Sequence, residues 1–256
     1  MPERRLAITL KGAISLGAYE AGVICQTLQL IAYNNSQRGA TPWYIDAMCG
    51  ASAGSLTAAL TAAALLRGDD ADLLYRIWVS GVQLESLAPS ADANHYPNTL
   101  LDAHALDTIA GQYLTFPEVV ERHQALRPGP SDVRLRLTLS QFSPFPTVGD
   151  TLNGTKFNFR EYKDAVDFSV GIRQTASGLV PLLSANQVAN WGYQGTGPSL
   201  SGQDAWNTLV QAAIASGSFP FAFAPRDLRR WRDGNWIDEY FQDGGTFDND
   251  PVGGDD

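Results

Sequence analysis

The chain is short of the residues and patterns that several protein classes require. Its only two cysteines, Cys25 and Cys49, are too few for a disulfide framework, and both stand in apolar stretches typical of small buried residues. No apolar run approaches the roughly 18 residues that a membrane-spanning helix needs. The apolar run at residues 6–10 ends at Lys11, so it is too short for a signal peptide. We therefore expect a cytoplasmic protein that would meet a membrane only peripherally.

Basic residues are also scarce, with 18 Lys and Arg against 27 Asp and Glu and a net charge of −9. An acidic chain without a basic run is poorly suited to bind phosphate backbones, so we expect no nucleic-acid partner. Hydrophobic residues make up 44% of the 256 positions, enough for one sizeable core. We expect a single domain over residues 1–256. Nothing in the composition indicates an oligomeric state.

Strand and helix patterns alternate in the first part of the chain. Residues 6–10 and 43–49 are β-rich and apolar, and residues 17–33 and 53–66 have helical patterns. Two strand–turn–helix units in succession predict βαβ connections and a mainly parallel sheet.

Later segments are predicted less regularly. Alternating apolar residues at 133–139 predict a strand, and the Pro- and Gly-containing residues 142–155 predict a loop. Further predicted elements are helices at 72–79, 103–113 and 205–216, one or two strands at 156–170, a Gly- and Ser-rich loop at 192–202, a turn at 233–234 within the polar run 229–235, and the end of a strand at 240–242.

Residues 50–54 read Gly-Ala-Ser-Ala-Gly, which matches the G-x-S-x-G pattern of a nucleophile elbow. The pattern lies between the predicted strand and the predicted helix, as an elbow requires. Gly50 and Gly54 would let neighbouring chain approach closely, and the turn would present the Ser52 hydroxyl at the start of the helix. The alternative is an ordinary turn whose serine caps a helix. The setting favours Ser52 as a nucleophile.

A nucleophilic serine needs a base, and the chain offers few histidines. His95, His104 and His123 all precede the late position where an α/β-hydrolase carries its histidine. A triad of Ser52, Asp102 and His123 stays open as an alternative. A carboxylate can instead act directly on the serine.

The carboxylate candidate is Asp243, which follows a short apolar stretch and precedes two glycines. An acid on such a tight turn at a strand end can project into a site. Asp233 before Gly234 is a rival, but its polar surroundings are typical of a surface turn.

Three parts of the chain together resemble the patatin-like phospholipase family. Residues 10–23 (LKGAISLGAYEAGV) resemble its N-terminal Gly-rich loop and helix, and residues 50–54 its elbow. Residues 212–220 (AAIASGSFP) and 243–251 (DGGTFDNDP) resemble its A-S-x-x-x-P and D-G-G…N-x-P segments. These matches follow the family's order over nearly the whole chain.

The resemblance implies a three-layer α/β fold with a mainly parallel sheet, and a Ser52–Asp243 dyad without metal, cofactor or histidine. It also implies an oxyanion hole formed by main-chain N–H groups of Gly12, Ala13 and Ile14. The loop departs from the family's usual G-G-G-x-[RK]-G, because Leu16 stands at the basic position. Family domains often continue beyond the last motif, so we expect the chain to be part of a longer protein.

The resemblance implies hydrolysis of lipid carboxylic esters, of the phospholipase A or lipid acyl hydrolase type. Two alternatives stay open: a soluble carboxylesterase or thioesterase, and a catalytically silent regulatory module. Phe219, Phe221 and Phe223 could line an acyl groove, although aromatic residues at this spacing usually belong to a core.

Overall fold

A computed structural model of the chain describes residues 3–13, 17–68, 72–81, 87–88, 99–102, 104–128, 132–187, 197–232 and 234–251. The described helices are α1 Gly17–Ser36, α2 Ala53–Arg67, α3 Asp72–Arg76, which runs into a π-helical turn at Ile77–Gly81, α4 His104–Tyr113 and α5 Gly202–Ser216. The described strands are β1 Arg4–Leu10, β2 Trp43–Gly50, β3 Asp132–Asp150, β4 Lys156–Thr175, β5 Gly178–Asn186, β6 Ser199–Ser201, β7 Arg226–Arg232 and β8 Asn235–Asp243.

The eight described strands form one sheet in the order β1-β2-β3-β4-β5-β6, with β8 pairing with both β3 and β7. Helices flank this sheet, and the three-layer α/β class expected from the sequence is confirmed. The predicted mainly parallel sheet is wrong, since only the β1–β2 and β2–β3 pairings are parallel. The reason lies in the connections. Helix α1 carries the chain back between β1 and β2, and α2 and the helices after it do so between β2 and β3. Short turns instead join β3 to β4, β4 to β5 and β7 to β8, and they make these pairs antiparallel.

The loop predicted at residues 142–155 is also wrong, because most of it continues strand β3. Residues 145–150 pair with residues 156–161 of β4 and form a long two-stranded ribbon. Pro144 falls in the irregular stretch between Ser140 and Phe145, where a missing N–H donor is tolerated. Along this ribbon no other described strand pairs with β3, so Pro146 lies at an edge.

The turn predicted within the polar run 229–235 is confirmed at Gly234, where β7 and β8 are joined as a hairpin. Gly234 stands at the turn of that hairpin with φ = 83°, a conformation that glycine adopts without strain. Asp233 lies outside the described residues, and so do residues 192–196 of the predicted loop at 192–202. The rest of that prediction is wrong from Ser199 on, because Ser199–Ser201 pairs with β5 as strand β6 and Gly202 begins helix α5. Strand β5 had no counterpart among the predicted elements.

Helix α2 forms the centre of the core. Of its residues, Leu56 and Arg67 alone are not buried, and the helix packs on the sheet between α1 and α5. Alanine-rich sequence suits this place, because small side chains allow close approach and alanine favours the helix. Cys25 is buried as expected, but Cys49 is only partly buried.

Candidate active site

Ser52 stands between β2 and α2 in a strained backbone conformation. Its φ of 54° and ψ of −124° lie outside the regions that residues with a side chain ordinarily occupy. Such a conformation costs on the order of 1–3 kcal/mol and persists only where the surroundings hold it. The predicted elbow is therefore present as a sharp strand-to-helix turn with Ser52 at its apex.

Gly50 and Gly54 lie where the chain passes too closely for a side chain. A Cβ on Gly50 would be 2.7 Å from the Gly54 carbonyl oxygen, and one on Gly54 would be 2.7 Å from the Leu10 carbonyl carbon. The Ala51 N–H donates to the Leu10 carbonyl oxygen at 3.1 Å. The elbow is thus packed directly against the end of β1.

Strand β3 brings Ser52 and Asp243 together. Gly50 at the end of β2 lies opposite Leu137, and Asp243 at the end of β8 lies opposite Leu139. Because β4 occupies the other edge of β3, the ends of β2 and β8 meet on the same edge, about 7 Å apart along the strand. The Ser52 hydroxyl donates a hydrogen bond to Asp243 Oδ2 at 3.0 Å.

Both oxygens of the Asp243 carboxylate have partners. Oδ2 accepts from Ser52, and Oδ1 accepts from the Gly245 N–H at 2.8 Å. The residue is only 3% exposed. Burial raises the pKa of Asp243, and the hydrogen bonds from Gly245 and Ser52 offset this in part. A carboxylate with a raised pKa is a stronger base than an exposed aspartate.

A fully buried serine, Ser216, also contacts the elbow. Its hydroxyl accepts a hydrogen bond from the Ser52 N–H at 3.0 Å and donates to Ser55 Oγ at 2.8 Å. The Ser218 carbonyl oxygen accepts from the Asp243 N–H at 3.0 Å. The sequence patterns did not predict a functional role for Ser216. The only signal for it was its position in the segment that resembles the family's A-S-x-x-x-P motif.

The N-terminal loop reaches Ser52 at Gly12. A Cβ on Gly12 would be 3.0 Å from Ser52 Cβ and would overlap the side-chain oxygen of Asn249. Next to this contact Lys11 Nζ forms an ion pair with Asp250 Oδ2 at 2.5 Å. Ala13 is partly buried, and Ile14 lies outside the described residues. The structure thus brings Gly12 to the serine and describes no hydrogen bond of the Gly12 or Ala13 N–H.

The histidine alternative finds no support in the described contacts. The Asp102 carboxylate accepts from the His104 N–H at 2.9 Å, and His123 Nδ1 accepts from the Ala125 N–H at 3.1 Å. Neither Asp102 nor His123 forms a hydrogen bond with Ser52 among the described residues. Burial lowers the pKa of His123. His95 lies outside the described residues.

Exposed aromatic side chains lie in the segment that follows Ser218, whose carbonyl oxygen is bonded to the main chain of Asp243. Phe219 follows Ser218, the residue bonded to the Asp243 N–H, and is 40% exposed, while Phe221 is 81% exposed. The core placement favoured by their spacing is therefore wrong for these two residues, and Phe223 is half-buried. Four residues after Asp243 in the sequence, the ring of Phe247 stacks on that of Tyr162, with the ring centroids 5.3 Å apart.

Two further features of the described residues concern metals and membranes. His, Cys, Asp and Glu side chains do not gather there in a group of three or more that could hold a metal ion. Within the same part of the chain, each helix is too short or too polar to cross a membrane.

The fold and the elbow define an α/β protein of the class that presents a serine at a strained strand–helix turn. A family model described as patatin-like phospholipase matches residues 8–255. The chain therefore belongs to the patatin-like phospholipase family, as the sequence motifs predicted.

A curated relative from Sinorhizobium fredii (strain NBRC 101917 / NGR234), the uncharacterized protein y4iI, is 27% identical over 259 residues. The alignment covers 88% of this chain and 37% of that protein, so the chain spans well under half of its relative's length. The relative's description names no substrate.

Proposed function

We propose that the chain is a serine acyl hydrolase that cleaves carboxylic esters of lipids through an acyl-enzyme on Ser52. The observation that carries the proposal is the 3.0 Å hydrogen bond from the Ser52 hydroxyl, at a strained elbow, to the buried Asp243 carboxylate. Family membership supports ester hydrolysis at the level of the class. The proposal treats residues 1–256 as one catalytic domain.

In the first half-reaction Asp243 accepts the Ser52 hydroxyl proton while Oγ bonds to the ester carbonyl carbon. The carbonyl oxygen becomes negatively charged, and main-chain N–H groups of the loop at Gly12, Ala13 and Ile14 stabilise it, each by about 3 kcal/mol. The intermediate then collapses and breaks the bond to the alcohol oxygen. That oxygen takes the proton from Asp243 and leaves, and the acyl group remains on Ser52.

In the second half-reaction water attacks the acyl carbonyl and gives a proton to Asp243. The second tetrahedral intermediate releases Ser52, which recovers its proton from Asp243, and the free fatty acid departs. Each proton accepted by Asp243 is returned, so the dyad needs no histidine. The raised pKa of the buried Asp243 suits this exchange, since a base works best when its pKa approaches the working pH.

A lipid substrate is supported by exposed aromatic residues close in sequence to Ser218, which is bonded to the main chain of Asp243. Phe219 and Phe221 are exposed next to the segment that holds Asp243, and exposed aromatic rings offer contact area to an acyl chain. The proposed enzyme takes its substrate at a lipid surface by peripheral contact.

The dyad is tested with Ser52→Ala and Asp243→Asn, assayed on a p-nitrophenyl acyl ester. We expect each variant to lose at least about a thousandfold in kcat, because each removes one half of a coupled unit. Circular dichroism checks that the fold is intact. Substantial turnover by either folded variant would contradict the proposed dyad.

His123→Asn is the control for the triad alternative, and we expect it to retain kcat per folded molecule. Loss of activity in a folded His123→Asn variant would favour His123 over the dyad.

Comparison of monomeric short-chain esters with micellar long-chain phospholipids tests the substrate class. We expect higher kcat/KM on the micelles, and a preference for monomeric esters or thioesters would instead indicate a soluble esterase.

A further inference from the structure

The C-terminal end of helix α5 contacts both members of the proposed dyad. Ser216, the last residue of α5, accepts a hydrogen bond from the Ser52 N–H. Two residues later, the Ser218 carbonyl oxygen accepts from the Asp243 N–H. One short segment therefore holds the main chain of the nucleophile and the main chain of the base.

The hydrogen bond to Ser52 supplies an acceptor for the backbone N–H at the elbow. A sharp turn that ends a strand takes its N–H out of the sheet ladder, and a buried N–H without a partner is strongly unfavourable. The Ser216 hydroxyl supplies the acceptor at 3.0 Å and is itself completely buried. It thereby stabilises a backbone conformation, φ = 54°, that Ser52 would not adopt by itself.

The orientation of the Ser216 hydroxyl is determined from two sides. Its oxygen accepts from the Ser52 N–H, and its proton points to Ser55 Oγ at 2.8 Å. Ser55 lies in the first turn of α2 and is also completely buried. The network therefore links the end of α5 to the elbow and to the start of α2.

We propose that Ser216 is a positioning residue, whose hydroxyl fixes the Ser52 backbone so that Oγ stays within hydrogen-bonding distance of Asp243. This inference rests on the proposed acyl hydrolase function. Ser216 does not touch the reacting atoms and acts through the Ser52 N–H. Since that N–H is engaged by Ser216, it is not a donor of the oxyanion hole.

The test compares Ser216→Ala with Thr61→Val in the whole chain. Thr61 is another fully buried hydroxyl, and it donates to the Thr57 carbonyl oxygen within α2. Thr61→Val removes one buried hydrogen bond and Ser216→Ala removes two, and of these two hydroxyls only that of Ser216 is bonded to the elbow. The measurements are kcat and KM on a p-nitrophenyl acyl ester, the rate of fluorophosphonate labelling of Ser52, and the melting temperature.

We expect Ser216→Ala to lower kcat and the labelling rate by about 10- to 100-fold with little change in KM, as a displaced catalytic group does. Thr61→Val should also lower the melting temperature, but keep kcat within about twofold of wild type. A Ser216→Ala protein with wild-type kcat and labelling rate would overturn the inference and leave the proposed function standing. A wild-type chain that neither hydrolyses esters nor reacts with the probe would overturn both.

Ser55→Ala provides a second variant should Ser216→Ala fail to fold. It removes the acceptor that orients the Ser216 hydroxyl and leaves that hydroxyl in place. We expect kcat to fall at least about threefold, and the double variant to be no slower than Ser216→Ala, because the two residues act in one network. Wild-type kcat in folded Ser55→Ala, or losses that add in the double variant, would contradict the inference.

Discussion

At Gly12 the N-terminal loop approaches the nucleophile so closely that a methyl group would disturb both. The Cβ of an alanine there would be 3.0 Å from Ser52 Cβ and would overlap the Asn249 side chain. Contacts of this kind force neighbouring backbone to shift, and an oxyanion hole depends on donors held within tenths of an ångström. The lack of a side chain at Gly12 is therefore a requirement of the proposed site.

Gly12→Ala should lower kcat by about 10- to 100-fold, because the displaced loop presents its N–H groups poorly to the oxyanion. The change is measured on a p-nitrophenyl acyl ester with the melting temperature alongside. Gly22→Ala in α1 is the matched control, since a Cβ there meets nothing within 4 Å and should leave kcat unchanged. Wild-type kcat in Gly12→Ala would show that the loop does not form the oxyanion hole.

At this scale local patterns and the family resemblance proposed Ser52 and Asp243, whose side chains form a hydrogen bond of 3.0 Å in the structure. The serine's flanking glycines and the acid's position before two glycines are both local patterns. The contact between Ser216 and Ser52 joins residues 164 positions apart, so it depends on how α5 packs against α2. A buried serine at the end of an apolar helix has no pattern that separates a positioning role from simple packing.

Among the secondary-structure elements, the β7–β8 hairpin positions the proposed base and is itself held by a buried ion pair. Arg230 of β7 forms two hydrogen bonds with the Asp164 carboxylate of β4, at 3.1 and 3.2 Å. Their side chains are 1% and 0% exposed. Arg230 also donates to the Ala165 carbonyl oxygen at 2.7 Å. The hairpin is thus tied to β4, which pairs with one edge of β3, while Asp243 at the end of β8 pairs with the other edge.

Replacing Arg230 with Met should destabilise the protein by about 3–5 kcal/mol, because it leaves the Asp164 carboxylate buried without its cation. Urea unfolding measures the free energy. Arg229→Ala is the control: its ion pair with Asp238 spans 3.9 Å between side chains that are 66% and 69% exposed, and such pairs contribute about 0–1 kcal/mol. Equal losses in the two variants would mean that the buried pair does not hold the hairpin.

The same hairpin shows what a local pattern leaves out. The polar run at residues 229–235 correctly indicated a turn at Gly234, but it gave no sign that Arg230 is buried, because charged residues are normally solvated. The ion pair with Asp164, 66 positions earlier in the sequence, compensates the burial of the Arg230 charge. No local pattern reveals this pairing. By contrast, the first two strands and helices were predicted within a few residues, since their apolar periodicity is local.

Over the whole molecule, the proposed site forms only when distant parts of the chain meet. Gly12 follows β1, Ser52 follows β2, Ser216 ends α5 and Asp243 ends β8. The mixed sheet makes this meeting possible: parallel β2 and antiparallel β8 reach the same edge of β3 from opposite directions. The predicted parallel sheet placed Ser52 at a strand end but gave no reason for β8 to end beside it.

The electrostatics of the folded chain predict that its stability falls as the pH rises through neutrality. Burial raises the pKa of Glu20, in the first turn of α1, from 4.5 to about 7, against the hydrogen bond from the Lys11 N–H, which lowers it. Burial likewise raises the pKa values of Asp243, Asp248 and Glu239. Each of these carboxyl groups binds its proton more tightly in the folded protein than in the unfolded chain, so each contributes a loss of stability as the pH rises above its ordinary pKa.

For Glu20 the contribution to stability is complete below about pH 4.5 and is lost as the pH rises through about 7. His123 has the opposite sign: burial lowers its pKa from 6.5, so its contribution is present above pH 6.5 and is lost at lower pH. Between pH 6.5 and 8, Glu20 is therefore the group whose titration should lower the melting temperature.

We expect Glu20→Gln to flatten the fall in melting temperature between pH 6.5 and 8, because glutamine stays uncharged like the protonated Glu20 of the folded protein. Glu118→Gln removes a negative charge from an exposed position and should keep the wild-type slope. A melting temperature that rises with pH over this range, or a slope that Glu20→Gln leaves unchanged, would contradict the assignment. The proton that Glu20 holds near neutral pH would then belong to another group.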